Sequence, residues 1–160
     1  MDATSPFAGD ILLYQGRGRR IRDFIRMRIK EMQQPVIIIG HSLGGVASVD
    51  VLATEDLLKH VILLITVGSQ APYFYEINAL QSLERGEELP EHFPPWVNIY
   101  DLRDFLSFVG DKVFPGRVHD YEVNNRQPFP ESHSAYWRNQ ATYDRIAYAI
   151  KEACHGASSQ

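Results

Sequence analysis

The stretch Val36-Ile37-Ile38-Ile39-Gly40-His41-Ser42-Leu43-Gly44-Gly45 constrains this chain more than any other. Four branched apolar residues read as a strand buried on both faces. The hexapeptide from Gly40 to Gly45 is a sharp turn, and Val46-Ala47-Ser48-Val49-Asp50-Val51-Leu52 continues it as a helix. A Gly-x-Ser-x-Gly sequence between a buried strand and a helix is the setting of a nucleophile elbow. It singles out Ser42 among the serines and places it at the carboxyl edge of a sheet.

The elbow explains its own residues. Ser42 must adopt a strained backbone for its hydroxyl to stand above the sheet edge. Residues two positions away crowd that turn, so small residues suit Gly40 and Gly44, while Gly45 lets the helix pack close to the strand. The start of the helix leaves backbone N–H groups unpaired beside the hydroxyl, and the N–H of Leu43 is the expected oxyanion donor. The bland alternative is a glycine-rich turn with an incidental serine; the strand before it and the helix after it favour the elbow.

With 160 residues, 44% hydrophobic and 22% charged, the chain reads as one globular domain over residues 1–160, with 1–9 and 155–160 as flexible ends. A net charge of −4 gives no general case for nucleic-acid binding. Cys154 is the single cysteine, so there is no intrachain disulfide framework. With no signal-peptide pattern at the N-terminus, a cytoplasmic location is the expectation. The longest apolar run, Val61 to Val67, is strand-sized, so no transmembrane segment is expected.

Asp10 to Tyr14 is ambiguous between strand and helix. A helix is expected from about Arg19 to Gln33, with Ile21, Phe24, Ile25, Ile29 and Met32 on its apolar side. Arg19, Arg22, Arg26 and Lys30 form an opposite basic stripe, read as a solvated face in preference to a surface for anionic lipid or a partner. Further strands are expected at Val61–Val67, Val97–Tyr100 and Val118–Val123. Helical segments are expected at Tyr75–Leu83 and from about Tyr136 to Ala153. Strands alternating with helices predict an α/β fold with a mostly parallel sheet flanked by helices.

A serine hydroxyl needs a base within hydrogen-bond reach and an acid that orients the base. In elbow proteins the chain order is Ser, then Asp or Glu, then His. His133, in a loop before the last helix, is the base best placed to reach the sheet edge. His41 belongs to the elbow and is expected to point away; His60, His92, His119 and His155 lie in less suitable positions. For the acid, Asp101 and Asp104 both follow the third strand. Asp101 can simply cap its turn through an Asx-type bond, whereas Asp104 lies in a loop able to reach a histidine. Asp104 is preferred, with Asp101 open; Asp111 and Asp120 are weaker candidates.

Three segments resemble the α/β-hydrolases of the lipase/esterase type: Val36 to Gly45, Ile65-Thr66-Val67-Gly68-Ser69-Gln70-Ala71-Pro72, and Trp96 to Ser107 together with Ser132 to Trp137. The resemblance spans about Gly9 to Ile150 and is to the C-terminal part of the family's fold. It implies hydrolysis of a carboxylic ester through an acyl-enzyme, with Ser42 as nucleophile, His133 as base and Asp104 as orienting acid. It implies no metal and no organic cofactor.

The chain departs from that family upstream of the elbow. Only about 35 residues precede it, so the first strands are missing, giving a truncated α/β-hydrolase fold. The His-Gly type oxyanion loop is missing too. One lost oxyanion donor costs on the order of 3 kcal/mol, or 10²–10³ in rate. Three readings follow: a fragment of a larger hydrolase, which is preferred; a sheet completed by a missing N-terminal region or by self-association; or a compact variant in which Asp10 to Tyr14 replaces a strand.

Two functions from different classes remain. One is a serine esterase or lipase-like enzyme acting on a small-molecule or lipid ester, with Tyr73, Phe74, Tyr75, Phe105, Phe108 and Phe114 as candidate acyl-pocket residues, most of them more at home in the core. The other is a non-catalytic binding module derived from a hydrolase, or an inactive fragment.

Overall fold

A computed structural model describes residues 5–57 and 59–157. Its elements run α1 (Ser5–Arg17), α2 (Arg19–Glu31), β1 (Val36–His41), α3 (Leu43–Thr54), β2 (Val61–Val67), α4 (Ala71–Glu76), β3 (Trp96–Tyr100), β4 (Val118–Glu122), α5 (Glu131–Ala135), a 3₁₀ turn (Tyr136–Arg138) and α6 (Gln140–Ala157). The four strands form one sheet in the order β1-β2-β3-β4, and every pairing is parallel. This is the α/β architecture expected from the sequence.

The strands are apolar on both faces because both faces are covered. Along β2, Leu64 joins one core, with Tyr14 of α1, Ile29 of α2, Val46 and Val49 of α3, Phe74 of α4 and Trp96. Leu63, Ile65 and Val67 join the other, with Val97, Ile99, Tyr136 and Ile146 and Ala149 of α6. α6 packs on β2 and β3. β1 lies at the edge of the sheet, and Ile39 is 43% exposed.

Several local expectations are corrected. Asp10 to Tyr14 is helical, and so are residues 5–9, expected as loop; residues 1–4 lie outside the described residues. The expectation that Asp10 to Tyr14 stands in for a strand is thereby overturned. Tyr14 is drawn into the core, where its hydroxyl donates to Asp50 at 2.6 Å. The segment expected to be helical over Tyr75–Leu83 is helical earlier, over Ala71–Glu76, because Pro72 suits the first turn of a helix. Asn78 then takes a positive φ of 59° and turns the chain away. The basic stripe of α2 is largely occupied within the molecule. Arg26 and Lys30 both pair with Glu55 just after α3, and the Arg22 guanidinium lies 5.6 Å over the Tyr14 ring. No described helix is long and apolar enough to cross a membrane.

A buried polar ladder crosses the sheet on its α3 side. Trp96 Nε1 donates to Thr66 Oγ1 at 2.8 Å, Thr66 Oγ1 donates to Asn98 Oδ1 at 2.8 Å, and Asn98 Nδ2 donates to Asp120 Oδ1 at 2.7 Å. Asn98 Nδ2 also donates to the carbonyl of Phe108, and Asp120 accepts from the backbone N–H groups of Gly110 and Asp111. The ladder therefore fixes the loop that leaves β3.

Candidate active site

The site is assembled at the carboxyl ends of β1, β2 and β3, where an open parallel sheet presents loops. β1 runs into Ser42, whose φ of 54° and ψ of −127° lie in a region L-residues seldom occupy. Such a conformation costs on the order of 1–3 kcal/mol and persists only where its surroundings enforce it. They do so here. Ser42 N–H donates to Val67 O at 3.0 Å, Gly45 N–H closes the turn on Ser42 O at 3.0 Å, and α3 is buried from Gly45 to Leu52. A side chain on Gly45 would place its Cβ 2.3 Å from Ser69 Oγ, and one on Gly40 would meet Gly45 Cα at 2.8 Å. Gly44 does not share this crowding: a Cβ there meets nothing within 4 Å beyond its own helix. The close approach of helix to strand belongs to Gly45.

Ser42 Oγ lies 2.9 Å from His133 Nε2. His133 Nδ1 lies 2.9 and 3.1 Å from Asp104 Oδ2 and Oδ1. His133 and Asp104 are each 2% exposed. Asp104 also accepts from Tyr136 O–H at 2.9 Å and from the Leu106 N–H at 3.0 Å. Burial in the first place, with the nearby Asp104 charge, raises the Tyr136 phenol far above its ordinary range, so it remains a donor. Gly68, at φ 55°, lets this pair approach the end of β2, since a Cβ there would come within 2.7 Å of the Tyr136 ring and 3.1 Å of Asp104 Oδ2.

His133 is not in an open loop as expected but in the short helix α5. Its backbone is tied down from two sides. His41 Nε2 bonds to His133 O at 2.9 Å, and the preceding Ser132 donates to Arg103 O and accepts from Asn125 Nδ2. His41 therefore faces the site and does not point away from it; its ring lies 4.9 Å from that of His133. Burial is the main reason that its pKa is lowered, so it resists taking a charge beside the His133 ring.

The two candidate acids separate by what they touch. Asp101 accepts from the Arg103 N–H at 2.9 Å and the Asn125 N–H at 2.6 Å, and has the turn-building role that its place at the strand end suggested. Only Asp104 meets the histidine. Asp120 holds backbone within the polar ladder, and Asp111 accepts from Gly116 N–H. Of the other histidines, His60 bonds Gln34 below β1, His119 lies in β4 and His155 in α6.

Two residues at the site escaped the sequence reading. Tyr136 follows His133 by three residues, one helical turn, but an aromatic at that spacing reads as core. Gln70, 3% exposed, donates its Nε2 to Ser42 Oγ at 3.2 Å. Its one signal was a polar residue at the carboxyl end of an apolar strand.

Of the aromatic residues proposed for a pocket, Phe74, Tyr75 and Phe114 are core. Tyr73 stacks on Phe108 at 4.8 Å, and Phe105 packs against Phe129 at 5.4 Å. Together with Leu102 (69% exposed) and Phe105 (73% exposed), they give the loops after β2 and β3 an apolar outer surface. A groove of about 620 Å³ lies elsewhere, at the opposite ends of β2 to β4 against α6.

The architecture has a solved counterpart. The chain is similar to the crystal structure of a protein from Pectobacterium atrosepticum described as a "putative yden-like hydrolase", with a TM-score of 0.52 and 19% sequence identity over 84% of this chain and 69% of that one. At that identity the likeness is one of fold: a hydrolase-type α/β fold. No family model matches the chain. No curated protein matches it.

Proposed function

We propose that this protein is a serine hydrolase that cleaves a carboxylic ester through an acyl-enzyme, in the manner of lipases and esterases. One observation carries the reading: an unbroken hydrogen-bonded chain, Ser42 Oγ to His133 Nε2 and His133 Nδ1 to Asp104, at the carboxyl edge of a parallel sheet. Hydroxyl, imidazole and carboxylate in that order form a nucleophile, its base and the group that orients the base.

In acylation, Ser42 Oγ attacks the ester carbonyl carbon while His133 Nε2 takes the hydroxyl proton. The C=O electron pair moves onto oxygen, and Asp104 holds the Nδ1–H and offsets the imidazolium charge. The adduct collapses, the C–O bond to the leaving alcohol breaks, and His133 returns the proton to that oxygen. Water then repeats the sequence on the acyl-enzyme. The Leu43 N–H, at the start of α3, is the expected donor to the developing oxyanion. The apolar surfaces of Tyr73, Leu102 and Phe105 favour a substrate with an apolar acyl chain.

The competing reading, a binding module that does not turn over, draws on residues 5–31: two helices, with no second backbone donor loop among those described residues. A fluorophosphonate probe separates the two. The wild-type chain is expected to take the label, with Ser42→Ala taking none and His133→Ala reduced nearly as far, because triad members act as a unit. A folded wild-type sample that takes no label overturns the enzyme reading.

A further inference from the structure

We propose that Gln70 is a catalytic hydrogen-bond donor, its side-chain Nε2–H serving as an oxyanion donor beside the Leu43 N–H. The inference rests on the Ser42–His133–Asp104 reading and adds to it.

Counting protons fixes the role. Asp104 as a carboxylate only accepts, so His133 Nδ1 carries the hydrogen between them. His133 Nε2 is then an acceptor, and Ser42 must spend its single hydroxyl proton on it. A hydroxyl already donating to His133 can only accept from a third group. The Gln70 contact therefore presents its NH₂ and not its carbonyl to Ser42 Oγ. Each hydrogen in the row Gln70, Ser42, His133, Asp104 is thereby assigned, and the amide holds the hydroxyl proton directed at the base.

The same N–H is placed for the next state. When Oγ bonds to the carbonyl carbon, the oxyanion is geminal to it, one bond angle away. Oγ, now an ester-type oxygen, is a poorer acceptor than the anion beside it. The Nε2–H passes to the oxyanion without any change of side-chain position beyond a small rotation, and the bond strengthens as the negative charge develops. Leu43 N–H from α3 and Gln70 Nε2–H from the end of β2 then donate from two elements.

A second observation points the same way. Gln70 Oε1 is buried with no hydrogen-bond partner. A buried amide with half of its polar atoms unpaired is a poor choice for stability, since an apolar side chain of the same length would leave nothing stranded. Such a group is what a site selected for chemistry retains.

The test compares Gln70→Met and Gln70→Glu with the wild-type chain. It uses a fluorophosphonate for the rate of Ser42 labelling, a short-chain p-nitrophenyl ester for turnover, and thermal unfolding for the fold. Gln70→Met keeps the length and removes the donor. It is expected to lose 10²–10³ in kcat and in labelling rate with KM little changed, while its unfolding midpoint stays level or rises. Gln70→Glu is expected to be weaker still at neutral pH, where a carboxylate faces the anion. A wild-type chain that labels alongside a Gln70→Met chain labelling at the same rate overturns the Gln70 role alone. A wild-type chain without label overturns this role together with the proposed function. Should Gln70→Met fail to fold, Gln70→Glu decides: labelling at the wild-type rate at neutral pH overturns the role.

Discussion

Asp101 and Asp104 stand three residues apart at the end of one strand, both 2% exposed, yet they do different work. The Asp101 carboxylate is taken up by two backbone N–H groups and closes the loop between β3 and the segment after β4. That of Asp104 faces an imidazole and a phenol. Isosteric variants should therefore have opposite signatures. Asp104→Asn keeps the shape but favours the wrong imidazole tautomer, and Ser42 labelling should fall by about 10⁴ with the chemical unfolding midpoint nearly unchanged. Asp101→Asn loses one of its two acceptors and should cost about 1–3 kcal/mol in a urea titration, with labelling close to wild type. Equal loss of labelling in both would mean that the loop as a whole, and not Asp104, supports the base. The sequence placed both carboxylates in one loop but could not show which backbone groups surround each.

At the level of elements, the polar ladder links the sheet to the acid loop. Thr66, Asn98 and Asp120 sit opposite one another in the register of β2, β3 and β4, so their side chains meet on one face. Each alone reads as an isolated polar residue in its strand; the register makes them a chain that ends on Phe108 O, Gly110 N–H and Asp111 N–H. Asn98→Leu strands Thr66 and Asp120 at about 1–3 kcal/mol for each unpaired group. It is expected to lower the urea midpoint and to slow Ser42 labelling as the acid loop loosens. Loss of stability with an unaltered labelling rate would show that the loop holds its place without the ladder.

For the molecule as a whole, stability at high pH depends on two tyrosines on opposite faces of the sheet. Tyr14 and Tyr136 are 1% and 0% exposed, and each donates its hydroxyl to a carboxylate. Burial first, with the neighbouring Asp50 or Asp104, raises both above the ordinary value of 10.0. Above that value the unfolded chain releases protons that the folded chain keeps. Their contribution is full below pH 10 and is lost as pH climbs from there towards the folded-state values. The slope is expected to reach about 1.4 kcal/mol per pH unit for each tyrosine. Tyr14→Phe and Tyr136→Phe should each flatten the fall in unfolding free energy measured above pH 10. Curves parallel to wild type would mean that unfolding at high pH is governed by other groups.

What the sequence determined by itself was local or periodic. The four strands, the strand-to-helix turn at Ser42 and the order Ser42, Asp104, His133 depend on residues adjacent in the chain or on their succession along it. Tertiary structure decided what depends on contact across the chain. It seated Asp104 and not Asp101 against His133 and turned His41 towards the site. It paired the basic face of α2 with Glu55, made a helix of Asp10 to Tyr14 around the Tyr14–Asp50 bond, and brought Gln70 to Ser42 across 28 residues. A hydrogen bond requires both partners to be positioned to within a few tenths of an ångström. Only the packed sheet and helices supply that, so a polar residue such as Gln70 carries no sign in the linear chain of the atom that it will meet.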